Sequence, residues 1–383
     1  MARKSNLERV VVAGIAFARR SPRHAALLLL VAVLVGVIYL ASRGCSFIRS
    51  HPTGITGDGR PGEVFFCSWN VENFYDDQDD PSIHDDMENW FGTDAAAYRQ
   101  KVDHLAEGLL KMNGGVGPDI ACLYEVENER CMTALRDAVN AKLSAAGMAD
   151  RAYANVVMQE DSTGRHFAPG VLTRLNVVRN RTRKLGGRKN GRILESHMEV
   201  NGYELIVIAA HWTSRVSDDA GKGDRRLSYA NDCYGRARAI LTENADADVI
   251  VCGDFNDEFT DRSIRDGLRA SNSSDEVRGT AAEPRLLDLF ANWAGDPPGT
   301  IYGKSHWSVF DHICVTRGLL DDQGWSCDVP TAAIFAAPEM RTPSRRGRFE
   351  PFRFGNQKAS GPRGYSDHFP VTVMLKVAGS AAP

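Results

Sequence analysis

Val249-Ile250-Val251-Cys252-Gly253-Asp254-Phe255-Asn256-Asp257 is an apolar run that passes without a break into glycine, a carboxylate, an aromatic ring and an amide. Three of its first four residues are β-branched, which suits a pleated strand buried on both faces. A strand that ends directly in Asp254 carries that carboxylate to the rim of a sheet, where loops gather into a site. The same arrangement recurs along the chain. Trp69-Asn70-Val71-Glu72-Asn73 follows a run at Val64–Trp69, and Tyr124-Glu125-Val126-Glu127-Asn128 follows Ile120–Tyr124. Ala210-His211-Trp212-Thr213-Ser214-Arg215 closes Tyr203–His211, while Phe310-Asp311-His312 and Ser366-Asp367-His368 stand before the last two runs.

Further strands are expected at Tyr153–Met158, Gly170–Thr173, His312–Thr316 and Val371–Leu375. Helices are expected at Ala95–Met112, Glu129–Ala146 and Arg225–Glu243; in the first, Tyr98, Val102, Leu105, Leu109 and Met112 recur at three- and four-residue steps and make one apolar stripe. Strands alternating with helices indicate an α/β domain. Nothing in residues 63–378 reads as an internal linker or repeat, so that span is expected to be one domain.

Several oxygen donors brought to one rim suit a hard cation such as Mg2+ or Mn2+ better than zinc. Asn and His beside such a cation supply what phosphoryl hydrolysis needs: donors for a charged transition state and a base for water. Each cluster alone also reads as an ordinary turn, since Asn and Asp are common turn formers. The signal is their joint occurrence.

Taken in order, Trp69-Asn70-x-Glu72-Asn73, Pro118-Asp119-Ile120 with Glu125-Val126-Glu127-Asn128, His211-Trp212-x-Ser214-Arg215, Gly253-Asp254-Phe255-Asn256, Asp311-His312 and Ser366-Asp367-His368 resemble the endonuclease/exonuclease/phosphatase superfamily. The resemblance covers about Val64 to Leu375. It implies a four-layer α/β sandwich, two mixed β-sheets packed face to face with helices on both outer faces. It also implies roles. Glu125 would ligate the metal with Asn70 nearby and Asp367 joining. Asp254 and Asn256 would orient water and the scissile phosphate. His211 would donate to phosphate or leaving oxygen, and His368 would have its other N–H accepted by Asp311. The reaction implied is in-line attack of water on phosphorus, with His368 the preferred base and Asp254 the competing one. Related bacterial members often carry Asp-x-Arg-Gly between the third and fourth motifs; here the segment is Gly164-Arg165-His166-Phe167-Ala168-Pro169-Gly170. Arg165, Ser214 and Arg215 are expected phosphate contacts, the last two reading equally as a solvated turn. The substrate class expected is a phosphodiester of nucleic acid or lipid headgroup. The alternatives are a phosphomonoesterase of inositol-phosphate type and an inactive, tethered binding module.

Outside these motifs the chain ends carry the remaining information. Ala25 to Ala41 is free of charge, and its seventeen residues would rise about 26 Å, enough to cross a hydrocarbon core. Six basic residues against Glu8 precede it, so the expected topology is a single-pass cell-membrane anchor with a cytoplasmic N-terminus and an extracytoplasmic domain. A cleaved signal peptide competes with this reading. Residues 42–62 read as a Gly-, Pro- and Ser-containing linker. Net charge is −3, and with +5 in residues 1–24 the rest lies near −8, which excludes a body that holds nucleic acid by overall charge. The eight cysteines form no CxxC pair; Cys67, Cys122, Cys252 and Cys314 read as buried thiols, with Cys122–Cys131 and Cys314–Cys327 open as disulfides. The acidic stretch around Asp76–Asp86 reads as a solvated loop, and Glu339–Gly364 as a long loop of Arg interleaved with Phe. That loop suits a nucleic-acid backbone, anionic lipid or plain solvent. No protein partner is expected.

Overall fold

Strands covered on both faces need apolar residues at successive positions, and Tyr203–His211 and Val249–Asp254 meet that demand. In the computed structural model, which describes residues 62–187, 189–217, 223–280, 283–343 and 349–379, Leu205, Val207, Ala209, Ile250 and Cys252 join one buried cluster. Their neighbours Ile206, Ile208, Ala210, Val249 and Val251 join another. The period-two split is the signature of a sheet packed on both sides.

In chain order the first half forms β1 (Gly62–Phe74), α1 (Asp86–Thr93), α2 (Ala95–Leu110), β2 (Ile120–Val126), α3 (Glu129–Ala145), β3 (Asn155–Met158), β4 (Ala168–Thr173), β5 (Asn176–Val177), β6 (Arg183–Lys184), β7 (Ile193–Val200) and β8 (Tyr203–His211). The second half forms α4 (Asp224–Glu243), β9 (Val249–Asp254), β10 (Ala270–Ser271), α5 (Ser274–Arg278), β11 (Leu286–Asp288), β12 (Ile301–Gly303), β13 (His306–Ser308), β14 (Asp311–Val315), β15 (Trp325–Ile334), β16 (Arg341–Pro343), β17 (Phe349–Pro351) and β18 (Val371–Val377). One sheet runs β15-β18-β1-β2-β4-β3 and the other β10-β11-β14-β9-β8-β7-β5, with β6 also on β7. Both are mixed: β1 is parallel to β2 and antiparallel to β18, and β9 is parallel to β8 and antiparallel to β14.

The two sheets face one another through Ser68, Tyr124 and Cys252, where the Tyr124 hydroxyl sits 2.9 Å from Ser68 Oγ and 3.4 Å from Cys252 Sγ. Helix α4 packs on the outer face of β8 and β9. On the far side, α2 lies against Trp69 at Gly108, and α3 lies against β4, with Met132 over Gly170. Four layers result.

The consequence for function is directional. Two parallel strands of each sheet end at the edge where their antiparallel neighbour begins. Asn70 and Glu125 therefore lie toward the C-terminal ends of β1 and β2, His211 and Asp254 close β8 and β9, Asp311 opens β14, and His368 stands just before β18.

Several elements differ from the sequence expectation. β1 continues past Trp69 to Phe74 across an irregularity against β2, because extra residues there are taken up as a bulge. β7 has no apolar alternation to announce it: Glu195, Ser196 and His197 are buried in it, and Glu195 is satisfied by His197 and Arg236. β15, an edge strand interrupted by Pro330, is half exposed over most of its length. The acidic stretch is not uniformly solvated: Asp85 caps α1 by accepting from Met87 N, and Asp76 is buried. The Arg/Phe segment pairs as β16 with β17, and Phe354 is buried. Cys122, Cys131, Cys314 and Cys327 are free thiols. The basic leader, the apolar run 25–41 and all of the linker before Gly62 lie outside the described residues; among the described residues no helix is long and apolar enough to cross a membrane.

Glu195 makes the buried polar part of β7 testable. Burial raises its pKa, but His197 Nε2 at 2.7 Å and Arg236 Nε at 2.5 Å outweigh that and hold the carboxyl down to about 2 from 4.5. A pKa lowered on folding contributes stability above the unfolded value and loses it as pH falls to the folded one. At about 1.4 kcal/mol per unit the contribution is roughly 3 kcal/mol at most. Glu195→Gln is expected to lower Tm at pH 7 and to flatten the fall of Tm between pH 4.5 and 2. Calorimetric scans in which mutant and wild-type curves run parallel there would refute this.

Candidate active site

Four residues at the strand ends hold left-handed backbone conformations that non-glycine residues adopt rarely: Glu72 (φ 55°), Asn73 (φ 53°), Glu125 (φ 62°) and Asn256 (φ 54°). Such positions cost about 1 kcal/mol or more each and persist where surrounding structure over-determines them. Here they turn each strand end inward. Asn73 N donates to Glu125 Oε2 at 2.8 Å, and Glu72 N donates to Asn70 Oδ1 at 3.0 Å. Asn256 N returns to Asp254 Oδ1 at 3.0 Å, while its side-chain amide donates to Trp212 O at 3.2 Å.

Asp254 is the centre. Asn70 Nδ2 donates to its Oδ2 at 2.8 Å and to Glu125 Oε1 at 3.2 Å, joining the two sheets through one amide. His211 Nε2 lies 3.6 Å from Asp254 Oδ2 and 3.8 Å from Glu125 Oε1. His368 Nε2 stands 3.8 Å from Asp254 Oδ2 on the other side, and its Nδ1 donates to Asp311 Oδ2 at 2.7 Å. Ser366 Oγ donates to Asn70 O at 2.6 Å and accepts from His368 N at 3.1 Å, so the Ser-Asp-His segment is fastened to the end of β1. Trp69 Nε1 adds a bond to His368 O at 2.9 Å.

Burial and charge separate these groups. Burial pushes the Asp254 carboxyl up to about 7, Asp311 and Glu125 adding to it while His368 and Asn70 oppose it. Burial alone would lower His368, but Asp311 and Asp254 outweigh it and raise the imidazole well above its ordinary value. His211 has no carboxylate bonded to its Nδ1; burial lowers it strongly, with Arg192, His368 and Arg165 adding to the fall. The two histidines are therefore pushed in opposite directions, His368 toward the imidazolium and His211 toward the neutral ring.

The expected phosphate contacts are less uniform. Arg165 reaches the site: its Nη2 donates to Asn73 Oδ1 at 2.5 Å, its Nε pairs with Asp85 at 2.7 Å, and it stacks over Phe167. Ser214 sits in an exposed turn, accepting from Val216 N. Arg215 turns toward the loop after β9, bonding Asn256 O at 2.8 Å, pairing with Asp257 and Asp261, and stacking on Phe310. Asp367 is engaged by Arg353 Nη2 at 3.1 Å. Burial first, then Glu72, raises it to about 6.

Three neighbours had no role assigned from the sequence. Glu72 is buried and spends both oxygens on Arg353 and Phe354 N. Lys101 is fully buried, donating to Tyr365 O at 3.0 Å, and burial lowers its pKa to about 8. Its position on the apolar stripe of α2, three residues after Tyr98, was the signal available. Arg353 had none beyond its charge.

The donor set fits a hard divalent cation. Asp254, Asp311 and His368 each bring a ligand atom within 4.8 Å of the others, and Glu125 adds a carboxylate beside them, bonded to the Asn70 amide. Asp311 Oδ1 and His211 Nδ1 are buried without a hydrogen-bond partner, which leaves coordinating capacity at the same place.

A family model described as the Endonuclease/Exonuclease/phosphatase family matches residues 65–377. Among solved structures, an endonuclease/exonuclease/phosphatase family protein from Bacteroides thetaiotaomicron is 15% identical, covering 83% of this chain and 99% of that one with a TM-score of 0.49. A mannosyl-6-phosphatase from Bacteroides thetaiotaomicron is 16% identical over 82% and 99%, with a TM-score of 0.48. Truncated TDP2 from Caenorhabditis elegans is 15% identical over 82% and 98%, with a TM-score of 0.46. No curated protein matches the chain.

Gly253 tests how tightly Asp254 is placed. A Cβ there would stand 1.8 Å from Ala210 O, inside the parallel pairing of β8 with β9. Gly253→Ala is expected to destabilise the fold by about 3 kcal/mol, since backbone must move. Urea unfolding with a loss under about 0.5 kcal/mol would contradict the close approach.

Proposed function

Because this chain belongs to the endonuclease/exonuclease/phosphatase family, we propose that it is a divalent-metal-dependent phosphoesterase that cleaves a phosphate ester by in-line attack of water. The observation that carries the reading is the meeting of Asn70, His211 and His368 around the single carboxylate of Asp254.

Glu125 is the residue that would hold Mg2+ or Mn2+, with Asn70 and Asp367 beside it, and the bound ion would supply neutralisation of charge on the phosphoryl oxygens. Asp254 accepts the proton of the attacking water. It is preferred over His368, because Asp311 and Asp254 on either side of that ring favour its protonated form. His368 then faces the developing phosphoryl charge as a cation. His211 donates from the opposite side toward phosphate or leaving oxygen. Asn256, its side chain directed to Trp212 O, keeps the loop after β9 in place and so orients Asp254. Arg165 supports binding of the anionic substrate from the β4 side.

The charge-free run 25–41 and its basic leader support a further proposal. The hydrolase is held at a membrane with its domain outside the cytoplasm, and its substrate is a phosphodiester met there, a nucleic acid or a phospholipid headgroup.

The full chain assayed on bis-(p-nitrophenyl) phosphate is expected to turn over with Mg2+ or Mn2+ and to stop with EDTA. Asp254→Ala and His368→Ala should each lower kcat by about a thousandfold or more. A panel of DNA, RNA, sphingomyelin and inositol phosphates then reads the substrate. No metal-dependent turnover on any of them would leave the tethered binding module.

A further inference from the structure

We propose that Arg353 is a substrate-binding residue whose guanidinium takes a non-bridging oxygen of the phosphate ester. The proposal rests on the phosphoesterase reading and assigns a specific group to it.

The case begins with an excess of negative charge. Glu72, Glu125, Asp254, Asp311 and Asp367 are gathered at one edge, and a phosphate must approach all five. The cations nearby are differently engaged. Lys101 is fully buried, its ammonium over the Phe354 ring at 4.9 Å and bonded to Tyr365 O. His368 is turned between Asp311 and Asp254. Arg165 is occupied by Asp85 and Asn73.

Arg353 is different in two respects. Its side chain is 60% exposed while that of its partner Glu72 is 3% exposed, so the guanidinium projects from the rim. Its Nε donates to Glu72 Oε1 at 2.9 Å and its Nη2 bridges Glu72 at 2.8 Å and Asp367 at 3.1 Å; Nη1 takes no partner among the described residues. A planar fork with one edge held and the other turned to solvent is suited to a phosphate oxygen.

The holding is unusually firm for an exposed ion pair, which by itself contributes only about 0–1 kcal/mol. Glu72 is in a left-handed conformation and gives its second oxygen to Phe354 N at 3.0 Å. The Phe354 ring is buried against Trp90 and Phe91. The segment carrying Arg353 is thus anchored on both sides of the side chain. Arg165 stands by Asn73, whose N–H meets Glu125, so a second arginine comes to this edge from a separate loop.

The test uses the full chain with Mg2+ present, comparing wild type, Arg353→Gln, Arg353→Lys and, as control, Arg136→Gln, whose arginine pairs with Asp137 on α3. Two quantities are read: the affinity for inorganic phosphate by titration calorimetry, and KM and kcat on bis-(p-nitrophenyl) phosphate. Arg353→Gln is expected to weaken phosphate about tenfold and raise KM similarly, with kcat within about threefold of wild type. Arg353→Lys should lose less, and Arg136→Gln nothing. Unchanged phosphate affinity and KM, whatever happens to Tm or kcat, would make Arg353 a brace for the loop and overturn the proposal. If the wild type hydrolyses no ester yet binds phosphate in an Arg353-dependent way, the hydrolase reading fails and the anion contact stands. If wild type neither turns over nor binds phosphate, both fall.

Discussion

Carboxylates buried side by side repel, and the protein is organised around containing that repulsion. Asp254 lies within reach of Asp311 and Glu125 in a place where water cannot screen them. Its Oδ2 is met by an amide from the other sheet and approached by two imidazoles. Each of those groups depends on a different strand end. The amide of Asn70 is the only one of them that bonds both Asp254 and Glu125, so the fit between the two sheets is measured at that residue.

The pairing rules of the sheets make this meeting possible. A parallel pair ends both its strands at one edge, and an antiparallel neighbour begins there. Using that device twice, in β1-β2-β18 and β8-β9-β14, brings six strand termini to one rim. The backbone carries the strain of the arrangement, at Glu72, Asn73, Glu125 and Asn256. Gly253 allows β9 to approach the carbonyl of Ala210 so closely that Asp254 has little freedom to move.

A second ring of charge stands behind the first. Glu72, Arg353, Asp367 and Lys101 connect β1, α2 and the segment before β18. It links the path of the loop over the site to the position of Ser366 and His368. Removal of Arg353 would leave the buried carboxylate of Glu72 without its cation.

Strand ends, the three longer helices and the polar clusters were legible from the amino-acid order, because apolar runs ending in Asp, Asn, Glu or His encode burial followed by exposure locally. The family resemblance came from the same clusters in their order. β7 was not legible, since it buries Glu195, Ser196 and His197, and Glu195 finds its partners in His197 and the distant Arg236. Nor was the division between the histidines. His211 and His368 look alike in the chain, and only three-dimensional placement sets one beside Asp311 and leaves the other without a partner for Nδ1. The sequence determined which groups reach the rim. The tertiary structure decided which of them touch, because electrostatic interactions fall off over a few ångströms and those distances arise only when the two sheets close.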